Sequence, residues 1–186
     1  CMLEFPESFF DLVNQRFAGS WLRTWDWPKL LSEYRRVARP GGVIRMTEPY
    51  IFPEEDSPAL ARLSELMLQA FDRSGHLFSP QKDGITNELA ALLKRHHLEE
   101  VQTRAYTLEY RVGTPEWQNW FENLRHMCST LFPFLQKWAY IPDDYKALCQ
   151  QALVEARQPD FVATMHVLTA WGNVPYSTDI PADFSR

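Results

Sequence analysis

Asn14, Gln15 and Arg16 stand directly after the apolar run Phe9-Phe10-Asp11-Leu12-Val13, and Glu48 stands directly after a second run, Val43 to Thr47. Ligands of open α/β sheets sit beyond the carboxyl ends of the strands, so these four side chains are the first candidates to meet a bound molecule. The plainer reading of all four is a polar exit from a strand, with Arg16 pairing an acid and Glu48 an ordinary exposed carboxylate. In the sharper reading Glu48 is a general base or a substrate anchor. Five histidines are further candidate bases. His166 alternates with apolar residues near the end of the chain and reads as structural. His96 and His97 fall at a helix end, where a cationic imidazole suits the dipole. His126 shares a helical stretch with Trp117 and Trp120 and is the preferred acid–base candidate. No HxH or HxxxH spacing occurs, so the histidines form no metal-ligand pair.

Trp117, Trp120, Phe121, Leu124 and Cys128 recur at helical spacing. Such a stripe is most often core. It also lies in a segment that could close over a cleft, and with Tyr50 it would then line an apolar acceptor pocket. Cys1, Cys128 and Cys149 are widely spaced and lack a CxxC, which reads as buried free thiols in a reducing cytoplasm rather than a disulfide or metal set.

These residues are positioned by a recognisable order of elements. The strand Phe9 to Val13 leads through a loop to Asp26, a good N-cap, and to Pro28 in the first turn of a helix. Leu30, Leu31, Tyr34 and Val37 fall on one face of that helix. Arg39-Pro40-Gly41-Gly42 ends it, with both glycines expected to supply positive φ for a tight turn, and Val43 to Thr47 is the next strand. Strand, loop, helix, turn and strand make the unit of a parallel α/β sheet.

Ser57-Pro58 opens another helix, which ends at Gly75, and one more begins near Thr86. A strand from about Val101 to Val112 follows. Thr114-Pro115 caps the aromatic helix, Pro133 breaks it, and Asp143 caps a helix to about Arg157. Phe161 to Trp171 is the last strand, pairing with the strand before it as a hairpin interrupted by helices. The tail from Asn173 is expected to be loosely ordered.

The chain of 186 residues is 45% hydrophobic and 14% aromatic, enough for one sizeable core. A net charge of −5 without a basic block argues against nucleic acid as a partner. No apolar run approaches the ~20 residues that cross a bilayer, and no secretory signal is visible, so a cytoplasmic protein is expected.

The wording of two stretches resembles a known family. Leu3-Glu4-Phe5-Pro6-Glu7-Ser8-Phe9-Phe10-Asp11-Leu12-Val13 is similar to the stretch around the fourth strand of class I S-adenosylmethionine-dependent methyltransferases of the ubiquinone/menaquinone methyltransferase group. Trp27 to Gly42 resembles the helix and turn before that family's fifth strand. Ile85 to Glu109 is more loosely similar to its sixth strand and the helix before it, and Phe161 to Trp171 to its antiparallel seventh. The family's glycine-rich loop has no counterpart, since no GxG stands anywhere in the sequence, and neither has the acidic residue after its second strand.

The resemblance implies a partial Rossmann-like α/β sheet, strands four to seven of seven, over residues 1–172. Helical lid insertions at about 50–82 and 114–158 and a loose tail at 173–186 complete that expectation. It implies that the chain is the C-terminal part of a longer polypeptide. The implied cofactor is S-adenosylmethionine, with Met2 and Leu3 near the adenine ring and Asn14, Gln15 and Arg16 along the methionine end. The implied reaction is methyl transfer to a small, partly apolar molecule. A non-catalytic binding or dimerisation remnant is the alternative, and no residue supports a nicotinamide oxidoreductase. The open edge at residues 9–13 would recruit a second copy or the missing N-terminal half.

Overall fold

The computed structural model describes residues 2–176. Cys1 and residues 177–186, which include most of the expected loose tail, lie outside the described residues. Among the described residues there are five strands and six α-helices. They are β1 (Phe10–Arg16), α1 (Trp27–Val37), β2 (Ala38–Pro49), β3 (Glu54–Glu55), α2 (Pro58–Arg73), α3 (Leu89–Arg95), β4 (Glu99–Arg111), α4 (Pro115–Thr130), α5 (Phe132–Trp138), α6 (Tyr145–Glu155) and β5 (Val162–Asn173).

The sheet runs β1-β2-β5-β4. β1 and β2 are parallel, and β5 lies antiparallel to β2 on one side and to β4 on the other. The two-residue β3 continues the β2 edge of β5. Order and direction are those of strands four, five, seven and six of the class I methyltransferase sheet, so the α/β architecture implied by the resemblance is present. The expected hairpin is β4 against β5.

Local chemistry explains the element ends. Ser57 caps α2 by accepting from the Leu60 N–H at 3.1 Å, and Thr114 caps α4 by accepting from the Trp117 N–H at 3.2 Å. Asp26 and Asp144 precede α1 and α6 without a side-chain cap bond, so neither Asp26 nor the expected Asp143 acts as an N-cap. Gly75 has φ +81° and ends α2 in the left-handed conformation that glycine reaches without penalty.

The Pro-Gly-Gly segment differs from the expected hinge between helix and strand. β2 begins at Ala38, opposite Phe10, and the register then jumps to Val43 opposite Leu12, so residues 39–42 form a bulge inside the strand. Gly41 alone has positive φ, +76°. Gly42 serves close approach instead, because a Cβ there would stand 2.8 Å from the Arg39 carbonyl. The bulge is closed by the start of the tail. Gly41 N–H donates to Val174 O and Val174 N–H to Gly42 O, each at 2.8 Å, so the chain is tied down as far as Val174.

One face of the sheet is well covered. Ile44 and Met46 of β2 and Ala170 of β5 point to α1 and α3, where Trp27, Leu31, Leu89 and Leu93 are buried with them. The register puts Leu12, Arg45, Trp171, Arg104, Tyr106 and Leu108 on the other face. There α4 packs at the Tyr110 end, while Leu12, Tyr106 and Leu108 stay exposed. Helices α2, α4, α5 and α6 build a second layer among themselves. No helix of the described residues is long and apolar enough to cross a membrane.

His76 follows α2 and is buried between the rings of Phe71 and Phe134, its Nδ1 2.7 Å from Ser74 Oγ. Burial first, then the charge of Arg23, lowers its pKa. The unfolded chain therefore takes up this proton first as pH falls. Stability owed to neutral His76 is complete above the ordinary histidine range and is lost as pH drops through it. Urea denaturation at pH 7.5 and at about pH 5.5 should show a larger loss for the native protein than for His76→Gln; equal losses would remove His76 from the balance.

Candidate functional site

The carboxyl ends of β1 and β2 meet at one buried carboxylate. Glu48 continues the inward alternation of Ile44 and Met46 and is only 1% exposed, so it is not the exposed strand-end acid expected from the sequence. Its Oε1 accepts from the Ala18 N–H at 2.8 Å and from the Gln15 side-chain amide, and its Oε2 accepts from the Gly19 N–H at 3.0 Å. Burial pushes the Glu48 pKa up, against the pull of the Gly19 and Ala18 N–H groups and of Gln15. The neighbouring Tyr34 is pushed up to about 12, by burial first and then by Glu48. Gln15 Oε1 is buried without a hydrogen-bond partner.

This network shapes the loop that follows β1. Phe17 has φ +56°, a left-handed conformation that is strained for an aromatic residue. Three bonds hold it there: its own N–H to Thr47 O at 2.9 Å and the two Glu48 contacts at residues 18 and 19. The loop presents Phe17 and Trp21 outward, Trp21 being 71% exposed with its indole N–H on the Phe17 carbonyl at 3.2 Å. The Arg16 guanidinium lies 5.3 Å from the Phe17 ring centroid. Asn14, exposed on β1, accepts from Arg45 Nε at 2.7 Å. The result is a rigid aromatic and cationic rim at the end of the sheet where α/β proteins bind ligands.

The other sequence candidates lie apart from this rim. Met2 is 83% exposed. Leu3 is pinned to the later part of α1, its N–H on Glu33 at 2.8 Å and its carbonyl on Arg36 at 2.9 Å. Ser8 and Phe9 then pair with the carbonyls of Arg36 and Val37, at the amino ends of the strands. Met2 and Leu3 are thus not brought together with Asn14, Gln15 and Arg16. Arg36, seconded by the Leu3 N–H, lowers the Glu33 pKa to about 2.

Tyr50 leaves β2 and rests against the His166 ring at 5.0 Å, while its N–H bonds the His166 carbonyl. Trp120 stacks between Tyr110 and Phe161, and Trp117 stacks on Phe121 with its indole N–H on Ala156 O at 3.0 Å. These rings fasten α4 to β4, α6 and β5, and no ring contact joins them to Tyr50 among the described residues. His126 is exposed on the outer side of α4, beside Arg125, because the inward positions are taken by Phe121 and Leu124. A groove of about 260 Å³ lies elsewhere, between α2 and α6, lined by Arg62, Leu66, Gln69 and Tyr140. No group of three or more histidine, cysteine or acidic residues suited to a metal occurs among the described residues.

Sequence reasoning missed Phe17, Trp21 and the inward turn of Glu48. The last was readable: Ile44, Met46 and Glu48 share one strand face by period two, and two apolar neighbours mark that face as buried.

No family model and no curated protein matches the chain. Among solved structures it is similar to the YcgJ protein of Bacillus subtilis, at 15% identity over 94% of this chain and 68% of that one, with a TM-score of 0.46. It is similar to phosphoethanolamine N-methyltransferase 2 of Haemonchus contortus, at 17% identity over 90% of this chain and 35% of that one, with a TM-score of 0.40. A further likeness is to the [4+2]-cyclase SpnF, at 15% identity over 94% of this chain and 53% of that one, with a TM-score of 0.41. This chain spans about a third of the Haemonchus enzyme and about half of SpnF.

Replacing Glu48 by Gln would turn an amide N–H₂ toward N–H donors and leave at least one buried donor unpaired. Chemical denaturation should register a loss of roughly 1–3 kcal/mol. An unchanged midpoint would show that the carboxylate does not hold the loop.

Proposed function

We propose that this chain supplies the acceptor side and one wall of the cofactor cleft of an S-adenosylmethionine-dependent methyltransferase acting on a small, partly apolar molecule. The observation that carries the reading is the strand order β1-β2-β5-β4 with β5 reversed, joined to a polar and aromatic rim at the carboxyl ends of β1 and β2. Topology alone does not assign an activity; the residues of the rim must do so.

Those residues fit one wall of such a site. Arg16, Phe17 and Trp21 are exposed at the end of β1, beside the buried Gln15. Arg16 would hold the carboxylate of the methionine end and the Phe17 face would lie against the ligand, while Gln15, buried on the Glu48 side of β1, would hold that strand end in place for them. A glycine-rich loop and a ribose-binding acid are absent from this sequence, so the second wall must come from other residues. S-Adenosylmethionine, when bound, supplies a sulfonium methyl group for in-line displacement. The work left to the protein is then mainly positioning. Glu48 contributes by fixing the strained Phe17 backbone, since its oxygens are occupied by N–H donors rather than turned to an acceptor. No dedicated base is required unless an acceptor hydroxyl must lose its proton.

Titration calorimetry with S-adenosylhomocysteine on the polypeptide expressed from its native reading frame tests this reading. Phe17→Ala should weaken binding by about tenfold, the equivalent of about 1.4 kcal/mol. No heat from the unsubstituted protein at millimolar ligand would overturn it.

The second wall also concerns partners. The outer edge of β1 pairs with no strand among the described residues, and Leu12 on it is 46% exposed. An apolar strand edge recruits further strands, so we propose that it pairs with a second copy of the chain or with the remaining half of the sheet. For this chain in isolation, light scattering should give a dimer or larger species that Leu12→Lys reduces to monomer. A monomer at high concentration without the substitution would contradict the pairing.

A further inference from the structure

Two thiols lie together outside the proposed cleft, on helices far apart in the sequence. Cys128 sits in the last turns of α4 and is half-buried, and Cys149 sits in the middle of α6 and is buried. The two helices pack with backbones approaching within 8 Å. Tyr145, one turn before Cys149, donates its hydroxyl to the Cys128 carbonyl at 3.0 Å, so α6 is pinned to the very residue that carries the other thiol. Cys128, Tyr145, Met67, Met127 and Leu135 line a void of about 10 Å³ between the helices. It is at the lower limit for a water molecule, and Cys149, four residues after Tyr145, lies on the same face of α6 that meets Cys128.

We propose that Cys128 and Cys149 form a dithiol that a peroxide closes into an intrachain disulfide joining α4 to α6.

The surroundings divide the labour between the two sulfurs. The nearby Cys128 thiol, and then the Tyr145 hydroxyl, outweigh burial and lower the Cys149 pKa to about 7. The same contact, with burial, pushes the Cys128 thiol well above its ordinary value. Cys149 is therefore the thiolate that attacks, and Cys128 keeps its proton. In the first step the Cys149 thiolate takes one oxygen of hydrogen peroxide, forming a sulfenic acid as the O–O bond breaks and hydroxide leaves. In the second, Cys128 Sγ displaces that oxygen from Cys149 Sγ, and its proton leaves with the hydroxyl as water. Two thiols are oxidised and one peroxide is reduced to two waters. The bond would brace more than two helices, because Glu155 at the end of α6 accepts from the Ser57 hydroxyl and from the Ala59 N–H at 3.0 Å, at the start of α2.

The test uses the full chain carrying Cys1→Ser, folded and treated with stoichiometric hydrogen peroxide. The titre of free thiol should fall by two, the intact mass should drop by two hydrogens, and peptide mapping should link Cys128 to Cys149. The rate should rise with pH through about 7. In Cys149→Ser the Cys128 thiol should persist, and in Cys128→Ser the Cys149 sulfenic acid should be trapped by a dimedone probe. A thiol titre that stays unchanged in the parent while its methionines oxidise would overturn the proposal, as would linkage only between separate molecules. Equal consumption of Cys128 with and without Cys149 would overturn the assignment of the nucleophile.

Discussion

The Glu48 carboxylate joins the two parts of the structure on which the functional reading rests. A charge removed from water is costly unless it is met by donors. Here two backbone N–H groups and one side-chain amide converge on it from the end of β1 and the loop beyond. A strand end that would otherwise fray is thereby locked to its parallel neighbour. The local cost is a left-handed Phe17, kept in place because its own N–H, and those of the next two residues, all have partners on β2. Rigid presentation of Phe17 and Trp21 follows from that constraint rather than from packing of the rings themselves, which face solvent.

Much of the fold was legible because several signals agreed. The apolar face Leu30, Leu31, Tyr34 and Val37, the caps at Ser57 and Thr114 and the left-handed stop at Gly75 each stand where period and turn chemistry put them. The Pro-Gly-Gly bulge was harder to read. A local sequence shows where a chain departs from a helix, but the excursion inside β2 exists because Ala38 finds Phe10 before the bulge and Val43 finds Leu12 after it. That is a long-range fact.

The site was legible in part for the same reason. Asn14, Gln15 and Arg16 were marked by their place after an apolar run; β1 continues through Arg16, which puts Gln15 beside Glu48 on one sheet face. Helical spacing identified Trp117, Trp120 and Phe121 as a stripe but not what it faces; Tyr110 and Phe161, on strands far off in sequence, turn those rings into a seam. Proximity along the helix likewise says nothing of side, and His126 falls on the wet one. Phe17 carried no sequence signal, since its strain arises from bonds that only the folded sheet supplies.

The second layer of helices gives the sheet a cover at the Tyr110 end and leaves Leu12, Tyr106 and Leu108 in solvent. Among the described residues the sheet is thus covered in part and ends in the apolar edge of β1. The most direct measurement is a ¹H–¹⁵N correlation spectrum of the polypeptide expressed from its native reading frame, titrated with millimolar S-adenosylhomocysteine. The account predicts that the first resonances to move are the Gln15 side-chain amide and the backbone amides of Arg16 to Gly19. Shifts confined to the groove between α2 and α6, or no shifts at all, would contradict it.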